Sequence, residues 1–335
     1  MNKTETLQRA HTVCRTRRLS RHTEASYCGW LERFLPFVQR HRDLPREERI
    51  RLYLEHLAPR TSAATQNQAL NAIVFLYRDV LNQPLGELGK WARAKRPKRL
   101  PTCLTVAEMD RLLSVMSGGA KLMARFAFGT GLRLAELLAL RIKDIDLEAR
   151  LVTVHGGKGD KDRVTCLPES LVLDLQTHLM RVRAIYDADR ASGAAPIYLP
   201  DGLERKFKNG GTEWPWFWLW PANSESTDPR TRIIRRHHVH EDTLGKALKT
   251  ATRRCGLSKR VTVHTLRHSF ATALISNGAS INQVQELLGH SSVETTMVYL
   301  HCVPQFAQSV TSPLDTLAAA KIIAFETPQP MRRIS

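Results

Sequence analysis

Three short helices, each with its start and stop written into the sequence, constrain this chain more than any other feature. In residues 263–270, His264 and Arg267 are spaced i,i+3 and share one helix face, while Leu266, Phe270 and then Ala273 or Leu274 turn toward a core. Asn277 and Gly278 stop that helix as a C-cap pair. Ser280 with Gln283 reads as a capping box, opening a second helix whose Val284, Leu287 and Leu288 are apolar at helical spacing. Gly289 ends it and leaves His290 on a turn. Ser291 with Glu294 reads as a further capping box, starting the helix that carries Tyr299. The three helices deliver two imidazoles, a guanidinium and a phenol, and neither carboxylate nor cysteine belongs to the set. Such groups suit a phosphodiester, with positive charge for its oxyanions and the phenol oxygen as the attacking atom.

At 335 residues the chain has room for two domains with ordinary cores. It carries 50 Lys and Arg against 32 Asp and Glu, a net charge of +18. That excess asks for a polyanionic partner, nucleic acid first and an anionic membrane second. We find no apolar run of about 18 residues, so no membrane-spanning helix and no signal peptide is expected. Cys14, Cys28, Cys103, Cys166, Cys255 and Cys302 are scattered without a CxxC pair, as in a cytoplasmic protein with reduced thiols.

Residues 1 to about 14 are polar and read as loose. Residues 15–38 read as a helix with Tyr27, Trp30, Leu31 and Phe34 in an apolar stripe. Arg15, Arg17, Arg18 and Arg21 lie near its start, where they oppose the macrodipole; they read either as phosphate contacts or as a solvated basic face. Pro45 opens a second helix with Ile50, Leu52, Tyr53 and Leu57, and residues 61–81 a third with Leu70, Ile73, Val74 and Tyr77. No strand pattern appears before residue 100, so residues 1–89 form an all-α domain. Residues 90–101 follow as a basic linker, with Arg93, Lys95, Arg96, Lys98 and Arg99 suited to a DNA backbone.

Thr105 with Glu108 is a capping box that opens the second domain, residues 102–311. Arg133 follows Gly131 where the chain turns into a helix. Glu136, three residues on, either braces Arg133 or a neighbour or makes an ordinary surface pair. Residues 147–154 and 163–167 alternate as two strands around a glycine-rich turn that bears Lys158 and Lys161. Residues 191–241 then hold Lys206 and four of the six tryptophans, Trp214, Trp216, Trp218 and Trp220, at period two. In an extended strand these would share a face, either packed into a core or offered as a stacking surface for unpaired bases. Arg235, Arg236, His237 and His238 add cations suited to phosphate. With no carboxylate or cysteine at ligand spacing, no metal is expected there. Residues 312–335 read as a tail with a short apolar helix.

The H-x-x-R-H motif at 264–268, L-G-H at 288–290 and Tyr299 resemble the tyrosine recombinase (lambda-integrase-like) family. So do G-x-R-x-x-E at 131–136 and the Lys158 hairpin, and the likeness runs from roughly residue 15 to residue 315. It implies a mainly α fold with a small antiparallel sheet: an N-terminal core-binding domain and a C-terminal α+β catalytic domain. It carries the family's catalytic set onto Arg133, Lys158, His264, Arg267, His290 and Tyr299 as nucleophile, and favours Lys158 over Lys161. It implies a bacterial DNA-acting enzyme without cofactor or ATP, assembled as four protomers on two sites. The L-E-R-K insertion at 203–206, the W-x-W-x-x-x-x-P run, R-R-H-H at 235–238 and the tail from Ser312 resemble the integron integrases in particular. That subfamily moves gene cassettes between folded single-stranded hairpin sites and double-stranded sites. A recombinase of duplex sites (phage-type integrase or dimer resolvase) and a non-catalytic DNA-bending protein remain the alternatives, and a type IB topoisomerase fits the front domain poorly.

Overall fold

The computed structural model describes residues 2–86, 94, 100–156, 162–199, 202–228 and 231–302. The chain divides into two compact units, residues 1–99 and 100–335.

The first unit is helical throughout its described residues. α1 (Lys3–Thr16) is capped by Asn2, α2 (Arg21–Arg40) by Ser20, α3 (Arg46–Leu57) begins after Pro45, and α4 (Ala63–Phe75) is capped by Ser62. A π-helical turn, Leu76–Val80, prolongs α4. The core gathers Ala10, Cys14, Leu31, Phe34, Ile50, Tyr53, Leu70 and Ile73. Two expectations are corrected here. The segment expected to be loose is α1, because Ala10 and Cys14 are fully buried and anchor it. The helix expected from residue 15 is interrupted by a turn, with Arg18 at φ +52°, and restarts at Arg21.

In the second unit, Thr105 caps α5 (Val106–Ser114) with the Glu108 capping box in place. α6 (Gly118–Thr130) and α7 (Leu134–Ala139) follow. β1 (Ile145–Asp146), β2 (Leu151–Val154) and β3 (Arg163–Cys166) make an antiparallel sheet with Val152 opposite Thr165 and Val154 opposite Arg163. The first strand expected from 147 starts instead at Leu151, because residues 147–150 are the turn returning from β1. α8 (Val172–Ala191) and α9 (Leu203–Lys206) lead to a second sheet of β4 (Pro221–Thr227) and β5 (Ile234–His238). α10 (Asp242–Arg254), α11 (Val263–Ser276), α12 (Ile281–Leu288) and α13 (Val293–Met297) complete the unit. Ser292, not Ser291, caps α13. The expected tail helix lies outside the described residues.

The tryptophan strand does not form. Trp214–Trp216 is a 3-10 turn with Pro215 inside it, and the strand begins only after Trp220. Trp218 and Trp220 are 3 % and 2 % exposed, while Trp214 and Trp216 are half-buried.

α11 packs on α6 through Phe270, which fills the space over Gly131. A Cβ on Gly131 would lie 2.3 Å from the Phe270 ring, and its φ of +65° already disfavours any side chain. Gly131→Ala is therefore expected to lower stability by about 2 kcal/mol or more, read from the shift in the urea unfolding midpoint.

Candidate active site

One carboxylate organises the pocket. Gly131 closes α6 in the left-handed conformation, so Arg133 stands with extended backbone at the N-cap of α7. Glu136 folds back on it. Its Oε2 accepts the Arg133 backbone N–H at 2.8 Å and its Oε1 accepts Arg133 Nη1 at 2.7 Å. Arg163, at the head of β3, forks onto the same group, Nη1 to Oε1 at 2.9 Å and Nη2 to Oε2 at 2.7 Å. Burial alone would raise the Glu136 carboxyl. The donations from Arg163 and Arg133 outweigh it and take the group down to about 2.

Arg267 comes from α11 and is 2 % exposed. Its Nη1 donates to the Gly131 carbonyl and its Nη2 to the Leu288 carbonyl, each at 2.6 Å, and Nη1 stands 3.9 Å from Glu136 Oε2. Arg133 Nη2 reaches the Gly289 carbonyl at 3.4 Å. These carbonyls end α6 and α12, where backbone acceptors lack helical partners and the dipole is negative. Two helix C-termini and one carboxylate thus hold three guanidiniums. Burial, then the Arg133 charge, pushes Arg267 down to about 10, so it stays charged at neutral pH.

Tyr299 lies just beyond α13, 3 % exposed, packed with Phe270, Ala271, Val284 and Leu288 of its own unit. Its hydroxyl is 3.0 Å from His268 Nδ1, and its ring lies nearly parallel to His290 with centroids 6.1 Å apart. Burial pushes the phenol up, while the Arg267 and Arg133 charges pull it down. His290 shares a hydrogen bond between Nδ1 and Thr296 Oγ1 at 2.9 Å; burial, then Arg267, takes it down to about 4. His264 is exposed at the rim, lowered by the water it loses on its pocket side and by Arg267 and Arg133.

Of the six expected catalytic residues, Arg133, His264, Arg267, His290 and Tyr299 meet in this pocket. Lys158 and its rival Lys161 lie outside the described residues. The mouth of their hairpin is fastened by Asp162, which accepts the Gly156 N–H at 3.0 Å and pairs with His155 Nδ1 at 2.8 Å.

The expected DNA contacts divide. Arg93, Lys95, Arg96, Lys98 and Arg99 lie outside the described residues. Arg17 pairs with Asp79 at 2.8 Å but stays half exposed; Arg18 sits on the neighbouring turn. Lys206 is exposed beside the Phe207 ring. Five of the expected contacts are engaged within the protein. Arg235 is 4 % exposed and faces Asp228 and Glu204, and Arg236 forks onto Asp189 at 2.5 Å. Trp218 is a core ring under the Arg141 guanidinium, 3.3 Å from its centroid, with His237 stacked at 5.1 Å. His238, edge-on to Trp218, is bonded between Nδ1 and the Val239 carbonyl. Trp214, against Tyr186 and Phe217, and Trp216, under Lys143, keep part of their rings open. Among the described residues no group of three or more His, Cys, Asp or Glu is arranged to hold a metal ion.

Sequence reasoning missed Arg163 and His268. Arg163 gave no local signal, since its partner is 27 residues away. His268 lies one turn after His264, on the same face, and that spacing was the available signal.

A buried phenol, imidazoles and clustered guanidiniums on a mainly helical frame can hold a phosphodiester and offer it a phenol oxygen. Residues 102–305 match the phage integrase family, and residues 6–87 match the phage integrase N-terminal SAM-like domain. An Escherichia coli protein named integrase/recombinase is 42% identical over 301 residues, covering 89% of each chain. The tyrosine recombinase XerA of Thermococcus onnurineus is 32% identical over 268 residues, 78% of this chain and 81% of that one. The XerH site-specific recombinase, solved with its difH substrate before cleavage, superposes with a TM-score of 0.56 at 21% identity, over 85% of this chain and 78% of that one, and shares the fold. The chain belongs to the phage integrase family, the tyrosine recombinases that cleave and rejoin DNA strands.

The Glu136 carboxyl falls from an ordinary value of 4.5 to about 2, so its contribution to stability is present above pH 4.5 and fades as pH drops toward 2. That contribution is on the order of 3 kcal/mol. Urea unfolding across this window should show the loss in wild type and not in Glu136→Gln, which is destabilised at neutral pH by the guanidiniums left unpaired.

Proposed function

We propose that this chain is a site-specific recombinase acting through a 3′-phosphotyrosyl link on Tyr299, and that it works as an integron integrase. The observation that carries the reading is the phenol of Tyr299, buried within its own catalytic unit and subject to the Arg267 and Arg133 charges. The phenol oxygen attacks the scissile phosphorus, the O–P bond forms and the 5′-oxygen leaves. A 5′-hydroxyl of another strand then reverses the step. Arg133 and Arg267 take the non-bridging oxygens with the N–H groups their helix-end carbonyls leave over. His290 donates to the same phosphate, Lys158 protonates the leaving oxygen, and by the motif His264 relays the phenol proton. One phosphoester replaces another, so no ATP is consumed, and the guanidiniums supply the charge. The working assembly is a tetramer on two DNA sites.

The hairpin-site reading rests on residues 191–241: Trp214 and Trp216 offer part of their rings, and Phe207, with the exposed Lys206 over it, packs against Trp216, which suits extrahelical bases. Relatives named XerA and XerD favour a second reading, a recombinase of duplex sites.

Wild type should form a covalent adduct on a nicked hairpin substrate in the presence of EDTA, resolved as a slower band on a denaturing gel. Tyr299→Phe should bind and form none, and Arg267→Lys, with no planar fork, should cleave about 100-fold more slowly. An adduct in Tyr299→Phe would overturn the nucleophile. Adducts on a bulged hairpin strand in preference to its duplex support the integron reading; the reverse preference supports the duplex one.

A further inference from the structure

By the motif the nucleophile's own proton falls to His264, whereas the hydroxyl's hydrogen bond leads elsewhere. Tyr299 must lose that proton as the oxygen attacks and regain it when the link is resolved. Among the described residues the hydroxyl's hydrogen bond goes to His268, on α11 one residue beyond Arg267, at 3.0 Å from Nδ1. His264, one turn earlier, has its ring 6.2 Å from that of His268 and faces solvent. His290 covers the face of the phenol but is engaged with Thr296. The nearby thiols are no substitute, since burial pushes Cys302 up to about 11 beside Cys103. From this geometry, and resting on the recombinase reading, we propose that His268 takes the Tyr299 proton during cleavage and returns it during religation.

A hydroxyl that donates to Nδ1 places the ring proton on Nε2, so the free pair is neutral on both sides. Both members are held that way by burial: the phenol is pushed up, and His268 is taken down to about 4, with the His264 and Arg267 neighbours adding to the fall. A scissile phosphate entering the pocket brings negative charge against Arg267 and Arg133. It raises the basicity of the imidazole when the phosphorus becomes available for attack. In cleavage the Tyr299 O–H bond breaks and the His268 Nδ1–H bond forms, while the phenol oxygen bonds to phosphorus. The 5′-oxygen leaves with a proton from the general acid, Lys158. In religation the 5′-hydroxyl returns that proton, and Nδ1–H protonates the departing phenolate. No electron changes hands and no co-reactant is needed.

His268→Asn offers an oxygen near the place of Nδ1 that accepts the hydroxyl but cannot take its proton. The full-length variant should bind a nicked hairpin substrate like wild type and form adduct about 100-fold more slowly near neutral pH. The deficit should shrink only as the pH rises beyond the ordinary phenol value of about 10, because burial pushes Tyr299 up and it ionises without help only above that value. Replacing Tyr299 by 3-fluorotyrosine, a more acidic phenol, should accelerate His268→Asn more than wild type. A 5′-phosphorothiolate leaving group should rescue Lys158→Ala and leave the His268→Asn deficit in place. Cleavage by His268→Asn within about threefold of wild type, or its rescue by the thiolate, would overturn the assignment. If His268→Asn misfolds, His268→Gln with the same substrates decides the question. A wild type that forms no Tyr299 adduct at all refutes the recombinase reading instead, so the two failures are distinct.

Discussion

Three guanidiniums within one pocket repel one another, and the catalytic unit depends on the group that cancels this. Glu136 receives Arg133 and Arg163 directly and lies 3.9 Å from Arg267. The C-terminal carbonyls of α6 and α12 take what remains. Burial by itself would raise the carboxyl; four hydrogen bonds on its two oxygens keep it ionised. The consequence is geometric as much as electrostatic. β3 and α7 are fastened to that carboxylate directly, and α6, α11 and α12 through the guanidiniums around it, so the N–H donors left on Arg133 and Arg267 are aimed before any phosphate arrives.

The phenol follows another logic. Tyr299 is not neutralised by a partner but kept neutral by burial, among apolar side chains and imidazoles that are uncharged for the same reason. A pocket that is cationic along one wall and neutral along the other distinguishes two tasks. In the proposed reaction the first binds a charge already present on DNA, and the second holds a proton until it has to move. Phe270 joins them, since its ring packs over Gly131 on one side and belongs to the Tyr299 cluster on the other. Arg163 has a similar part at the far end, where its Nε donates to the Leu287 carbonyl and its stem lies against Gly289, the turn before His290.

The insertion shows where sequence patterns mislead. Period two in tryptophan suggested a strand, but the 3-10 turn Trp214–Trp216, with Pro215 inside it, breaks the backbone that such a face requires. Trp218 is then committed to Arg141, itself buried and taken down to about 9 by that burial. Arg235 and Arg236 read as phosphate contacts because a sequence displays charge and not pairing. Asp189, 47 residues from Arg236, is the partner that withdraws it. The N-terminal turn misled in the opposite sense: residues 3–16 looked polar enough to be loose, yet Ala10 and Cys14 suffice to seat α1.

By itself the sequence determined the helix boundaries that are set by local chemistry: the caps at Thr105 and Ser280, the stops at Asn277 and Gly289, and the three- and four-residue spacings that put His264, Arg267 and His268 on one helix. It also determined the kind of chemistry, because guanidiniums, imidazoles and a phenol without metal ligands admit few reactions. Only the tertiary structure decided which charges are free to meet a ligand and which are used within the protein. It alone set Arg163 against Glu136, buried Arg235 and Trp218, and brought His268 to the Tyr299 hydroxyl. The physical reason is one of range. Caps and turns act over three or four residues, whereas ion pairing and desolvation depend on neighbours that the chain brings together from far apart.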